Sequence, residues 1–279
     1  MSLHAPPFLD DDGERIMVFG PAGIGKTFNI LTVARLAAQT KSDAMFFSVD
    51  TDKSLKRMLA DPLLRPFLVD TAGVPKNIES TQVRNWVQLN EAVDVYQQRM
   101  RPQDWLIVDL LTPCWQWVQD HFTQVIFGKD LDQYLLDLRK EMTTAKGAAD
   151  NKLKRGGFEG FKDWPTINSM WGGLKDKLLY GPGNLYCTAG IDVLNSEKAS
   201  REDKALYGKF GVKPAGQKSI SHSFQTVLWQ GAIGDNYDLV TIKDRSRKKM
   251  EGMVVGTDGQ MMPNFAKQYL VDIAGWMLA

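Results

Sequence analysis

Short apolar runs that stop at a glycine or a carboxylate recur along this chain, separated by stretches in which apolar residues return every three or four positions. Arg15-Ile16-Met17-Val18-Phe19 reads as a buried strand, and Phe28 to Ala38 carries apolar residues at helical spacing. Ala44-Met45-Phe46-Phe47-Ser48-Val49 predicts a second strand closed by Asp50-Thr51-Asp52, and Lys53 to Ala60 a short helix stopped by Asp61-Pro62. Pro66 to Asp70 is expected to form another short strand. From Glu79 to Met100, the residues Val83, Trp86, Val87, Leu89, Ala92, Val93 and Tyr96 predict one long amphipathic helix ended by Arg101-Pro102.

Trp105-Leu106-Ile107-Val108-Asp109 is four apolar residues followed by an acid, the pattern of a buried parallel strand with a carboxylate at its carboxyl end. Thr112 to Phe127 and Leu131 to Thr144 read as helices. Ala145 to Asp163 breaks the pattern, with four glycines, five basic and three acidic residues, and reads as a loop. Thr166 to Tyr180 restores helical spacing and Asn184 to Ala189 reads as a core strand. A second polar stretch, Asn195 to Lys218, has six basic residues against three acidic ones. Ser223 to Gln230 and Asp238 to Lys243 predict two more strands, followed by Val254-Val255 and a terminal apolar segment, Tyr269 to Leu278. Helices interleaved with buried strands predict an α/β fold with a mostly parallel central sheet flanked by helices, in a single domain over 1–279. Its core is expected over about 15–250, with a C-terminal extension over about 251–279.

Composition narrows the reading. The formal net charge is +1 over 279 residues, so any basic binding surface is local. Cys114 and Cys187 lie far apart with no C-x-x-C partner, which argues against a disulfide framework or a thiolate zinc site. His4, His121 and His222 lack metal-ligand spacing. With no secretory pattern at the start and no run of about 18 apolar residues, a cytoplasmic protein without a membrane partner is expected.

The chemistry concentrates between the first strand and first helix. Gly20-Pro21-Ala22-Gly23-Ile24-Gly25-Lys26-Thr27 satisfies G-x-x-x-x-G-K-[ST] in the strand-loop-helix context of a P-loop. The glycines let backbone N–H groups turn around a phosphate chain at a helix N-terminus. Lys26 reaches the terminal phosphates and the Thr27 hydroxyl ligates Mg²⁺, so ATP and Mg²⁺ are the expected cofactors, with the loop and the following Phe28 as the nucleotide-binding stretch. Asp109 reads as the Walker B acid, holding Mg²⁺ through water opposite Thr27.

Taken together, these elements resemble the RecA-like branch of P-loop ATPases, most of all the compact single-domain ATPases of bacteriophages. The resemblance implies a catalytic carboxylate after the second strand. Asp52 stands where the family has glutamate, and Asp50 is the alternative. It implies that Thr188 hydrogen-bonds near the γ-phosphate. It also likens Thr241-Ile242-Lys243-Asp244-Arg245 to a motif whose cations, here Lys243 and Arg245, reach nucleotide on a neighbouring subunit of a ring or filament. In the family the loops after the Walker B and sensor strands bind DNA. That points to Lys152, Lys154, Arg155, Lys198, Arg201 and Lys204 as phosphate contacts, and to Phe158, Phe161 or Trp164 as base-stacking residues. The function implied is ATP hydrolysis coupled to DNA, with single strands expected, in recombination, annealing or repair. A P-loop small-molecule kinase and a nucleotide-gated viral assembly or packaging ATPase stay open as alternatives.

Overall fold

Alternation along the apolar strands decides the architecture. In Arg15–Phe19 (β2), Met17 and Phe19 enter one apolar cluster while Ile16 and Val18 enter a second. Trp105–Asp109 does the same, with Leu106 and Val108 on the first side and Trp105 and Ile107 on the other. A sheet apolar on both faces is stable only when helices cover both.

The computed structural model describes residues 3–4, 13–40, 42–65, 77–144, 158–159, 162–195, 197–233, 236–245, 254–255 and 265–278. In chain order, Leu3–His4 (β1) and β2 precede helix Lys26–Gln39 (α1), strand Phe46–Asp50 (β3), helix Ser54–Ala60 (α2), strand Ile78–Gln82 (β4) and helix Trp86–Gln97 (α3). Strand Trp105–Asp109 (β5) then leads into helices Cys114–Phe127 (α4), Leu131–Thr144 (α5) and Asp163–Tyr180 (α6). Strand Asn184–Ala189 (β6) continues into the hairpin Ile191–Val193 (β7) and Val212–Pro214 (β8), which brackets helix Arg201–Tyr207 (α7). Helix Ile220–Ser223 (α8), strands Thr226–Ile233 (β9), Asn236–Asp244 (β10) and Val254–Val255 (β11), a π-helical segment Phe265–Ile273 and strand Met277–Leu278 (β12) complete the series.

The central sheet has eight strands in the order β11-β10-β9-β2-β6-β5-β3-β4. From β9 to β4 all pairings are parallel, and β10 and β11 add antiparallel strands at one end. Helices α3 to α6 cover one face; α1, α2 and the π-helical segment cover the other. The α/β architecture with a mostly parallel sheet is therefore the one observed. The end of the chain joins the same core: Phe265, Tyr269 and Leu270 pack against α1's face, and Trp276 donates its indole N–H to Glu14 at 3.1 Å.

Several boundaries differ from expectation. The long helix expected over Glu79 to Met100 is a strand and a shorter helix, because 78–82 pairs with β3 and Asn85 caps α3 by accepting the Gln88 N–H at 2.9 Å. Helix α6 begins at Asp163, and Pro165 fits its first turn, where no N–H donor is needed. The strand expected from Ser223 begins at Thr226, after α8. The polar stretch 195–218 contains α7 and β8 rather than only loop. The strand expected over Pro66 to Asp70 lies outside the described residues.

Candidate active site

The loop between β2 and α1 is built to receive phosphate. Gly23 and Gly25 hold φ angles of 76° and 94°, in the left-handed region that glycine adopts without strain, and a Cβ on Gly23 would meet no heavy atom within 4 Å. Helix α1 starts without a side-chain cap and without an acid in its first turn, so its N-terminal N–H groups and positive dipole end are left for an anion. Gly20 is constrained from behind, since a Cβ there would sit 2.1 Å from the Gln230 carbonyl of β9.

Lys26 is buried in this loop. Its ammonium donates to the carbonyls of Gly20 at 2.9 Å and Pro21 at 2.6 Å. Burial lowers its pKa, and the opposing pull comes from the carboxylates of Asp109 and Asp52. A desolvated cation within the field of two acids, facing a cradle of glycines, fits the terminal phosphates of a nucleotide.

Asp109 is the hub. It is 1% exposed at the end of β5, and its Oδ2 accepts the Thr27 hydroxyl at 2.7 Å while its Oδ1 accepts the Thr188 hydroxyl from β6. Burial pushes its pKa up to about 6, against the two hydroxyl donors that pull it down, with Asp52 and Asp50 adding repulsion. This arrangement requires β6 to lie between β2 and β5, which is the observed order. Thr27 and Asp109 together fit Mg²⁺ beside the phosphate cradle, the hydroxyl as a direct ligand and the carboxylate through water. Among the described residues no cluster of three His, Cys, Asp or Glu side chains could hold a metal without such help.

The two acids after β3 have different places. Asp50 is buried, and its Oδ1 accepts the N–H groups of Asp52 at 3.1 Å and Lys53 at 2.6 Å, so it fixes the turn into α2. Asp52 is exposed at the mouth of the site, and its Oδ1 accepts the Ser54 N–H at 2.8 Å. The turn is clipped to the end of β5: Thr51 N–H donates to the Asp109 carbonyl at 2.7 Å, and the Thr51 hydroxyl accepts the Leu110 N–H at 2.6 Å.

Sequence reasoning missed the polar scaffold beneath the loop. Gln230, fully buried in β9, donates from Nε2 to the Ile24 carbonyl at 2.6 Å and accepts the Asn29 amide at 3.0 Å. Tyr186 donates its hydroxyl to the Lys26 carbonyl at 2.7 Å. The signal was present: a glutamine inside Val227-Leu228-Trp229-Gln230 and a tyrosine inside an apolar strand are polar groups at positions that burial penalises unless they have partners.

No family model matches the chain, and no curated protein matches it. Among solved structures, the crystal structure of the RadB recombinase superposes with a TM-score of 0.48, covering 91% of this chain and 90% of that chain at 13% sequence identity.

Other expected site residues lie elsewhere. The ring of Phe28 is buried in the apolar core, and its backbone lies in the first turn of α1. Phe158 is fully buried, edge-on to Phe122 at 5.8 Å and to Trp164 at 5.0 Å, so it belongs to the core and not to a base-stacking surface. Trp164 is half-buried and stacks on Trp115. Lys198, Arg201 and Lys204 are exposed around α7. Lys152, Lys154, Arg155 and Phe161 lie outside the described residues. Lys243 departs from the role expected of it: its buried ammonium donates to the carbonyls of Phe224 at 2.6 Å, His222 at 2.7 Å and Ser221 at 3.3 Å, closing the end of α8 in its own chain. Arg245 donates to the same His222 carbonyl at 2.8 Å, but its side chain is exposed.

Proposed function

We propose that this chain is a RecA-like P-loop ATPase that binds and hydrolyses ATP with Mg²⁺ and acts on DNA, single strands above all, in recombination, annealing or repair. The observation that carries the ATPase reading is the Thr27–Asp109–Thr188 hydrogen-bonded cluster beside the buried ammonium of Lys26. A structural role alone would not require a desolvated lysine in a glycine cradle, a hydroxyl and a buried acid within bonding reach of one another.

When bound, Mg·ATP supplies the electrophilic phosphoryl group and part of the charge neutralisation. The chain's own residues do the rest. Lys26 leaves the Gly20 and Pro21 carbonyls to neutralise the terminal phosphates, and the uncapped α1 N–H groups hold the phosphate chain. Thr27 and Asp109 hold the metal, and Thr188 keeps Asp109 oriented. Asp52, at the open side, orients the attacking water and accepts its proton; Asp50 is committed to the turn.

The DNA reading is supported by the exposed cations Lys198, Arg201 and Lys204, carried by the segment that follows β6, on the same edge of the sheet as the phosphate loop. Gly190, at the root of that segment, is tied to α4's entry by its N–H donating to Thr112 at 2.8 Å. DNA held there would therefore pull on the strand end that carries Thr188. We further propose a homo-oligomer, ring or filament, in which Arg245 is the cation available to a neighbour. ATP hydrolysis measured alone, with single-stranded DNA, and with a panel of nucleosides tests the reading. Stimulation by DNA supports it; phosphoryl transfer to a nucleoside without DNA stimulation would replace it with a kinase.

A further inference from the structure

A cavity of about 460 Å³ lies away from the phosphate loop, between the β7–β8 hairpin, α7 and the start of α8. Its wall includes Lys198, Glu202, Asp203, Lys213, Lys218 and His222. From these side chains we infer that the cavity is a second anion site, which takes a small phosphate-bearing molecule of up to mononucleotide size. The inference goes beyond the proposed ATPase, which uses none of this cavity except Lys198.

Charge in the cavity is sorted. Asp203 is the buried acid, and both its oxygens are engaged: Oδ1 with His222 Nε2 at 3.1 Å and Oδ2 with Lys213 Nζ at 3.2 Å. Its negative charge is thus answered from within the wall. Lys198 and Lys218 line the same space and form no ion pair among the described residues. Three lysines, Lys198, Lys213 and Lys218, stand against two carboxylates, the engaged Asp203 and the exposed Glu202, which leaves an excess of one positive charge that an anion would relieve. A phosphate oxygen accepts charge-assisted hydrogen bonds from such ammonium groups.

The wall is also rigid, as a binding site requires. Lys243 and Arg245 both donate to the His222 carbonyl, at 2.7 and 2.8 Å, and hold that residue from behind. Tyr207 donates to the Ser221 hydroxyl at 2.7 Å, tying α7 to α8. Ser200 accepts the Asp203 N–H at 2.9 Å, and Asn195 accepts the Lys198 N–H at 3.3 Å, fixing both ends of the turn. Lys243, expected to reach a neighbour, is instead part of the cavity's frame.

The test is calorimetric titration of the full chain with sodium phosphate, AMP and adenosine at low salt. It is run on wild type, on Lys26→Ala to silence the phosphate loop, and on Lys198→Ala/Lys218→Ala. Both lysines are exposed, so the double variant keeps the fold, which circular dichroism checks. The expected result is binding of phosphate and AMP, not adenosine, that survives in Lys26→Ala and weakens by about tenfold or more in the double variant. Phosphate binding alone assigns the site to free phosphate, and tighter AMP binding to a nucleotide. No binding of either to Lys26→Ala at millimolar concentration, equal binding of adenosine, or binding unchanged in the double variant overturns the proposal. If a DNA oligonucleotide binds and neither small ligand does, Lys198 returns to the DNA surface and the proposal fails, while ATP hydrolysis in wild type still judges the ATPase reading separately.

Discussion

The Thr27 hydroxyl donates to Asp109 Oδ2 at 2.7 Å across a separation of 82 residues in the chain. One comes from the first turn of α1 and the other from the end of β5, and β6 with Thr188 lies between their strands. Three elements thus converge on one buried carboxylate.

If that carboxylate holds magnesium, Asp109→Asn should lower Mg²⁺-dependent ATP hydrolysis on the order of 10²-fold or more, because several kcal/mol of transition-state stabilisation depend on the metal's position. Thr27→Ser should retain activity and Thr27→Val should lose it. Steady-state phosphate release across Mg²⁺ concentrations is the measurement, and equal rates for all three variants would remove the metal assignment.

Burial raises the Asp109 pKa from 3.8 to about 6, so the folded, magnesium-free protein binds a proton more tightly than the unfolded chain. Stability without magnesium should therefore fall as pH rises from about 4 to about 6 and level off above. The cost is fully present at neutral pH, on the order of 3 kcal/mol. Asp109→Asn should flatten this slope and raise the unfolding midpoint at pH 7. Urea unfolding in EDTA at pH 5 and pH 7 checks both.

The acids after β3 should separate cleanly. Asp52→Asn should leave ATP binding intact and slow hydrolysis on the order of 10²-fold, the loss expected of a positioned base. Asp50→Ala should instead destabilise, because the turn into α2 loses two part-buried hydrogen bonds to a carboxylate, at about 1–3 kcal/mol. Hydrolysis by Asp52→Asn at the wild-type rate would take the catalytic role away from it.

Phe158 and the loop cations should likewise part company. Phe158→Ala empties a site between Phe122, Tyr134 and Trp164 and should cost about 3–5 kcal/mol of stability. If Lys152, Lys154 and Arg155 hold DNA phosphates, replacing them together with alanine should weaken single-strand binding and flatten its salt dependence. Fluorescence anisotropy with a labelled oligonucleotide at several salt concentrations reads the loss of binding.

Lys243→Ala should destabilise by removing the donor to three carbonyls, whereas Arg245→Ala should leave the fold intact. If Arg245 serves a neighbour's nucleotide, mixing inactive Lys26→Ala with Arg245→Ala should restore part of the hydrolysis, since one supplies the pocket and the other the cation. A mixture as inactive as its components would confine Arg245 to its own subunit.

What the sequence determined by itself was local. The phosphate loop needs its glycines, lysine and threonine in one unbroken register, and the flanking strand and helix announce themselves by period, so β2, the loop and α1 were legible between Arg15 and Ala38. The same holds for β5, where four apolar residues end at Asp109. Tertiary structure decided everything that depends on which strand lies beside which. Only the sheet order could place Thr188 against Asp109, or bring Gln230 of β9 under Ile24. Only packing could turn Phe158 into a core residue and Lys243 into the closure of α8, since an aromatic or a cation among polar neighbours carries the same sequence signal whether it faces solvent or turns inward. Helix period also misled over Glu79 to Met100, because β3 offered an open strand edge and pairing with it outweighed the helical propensity of the first residues.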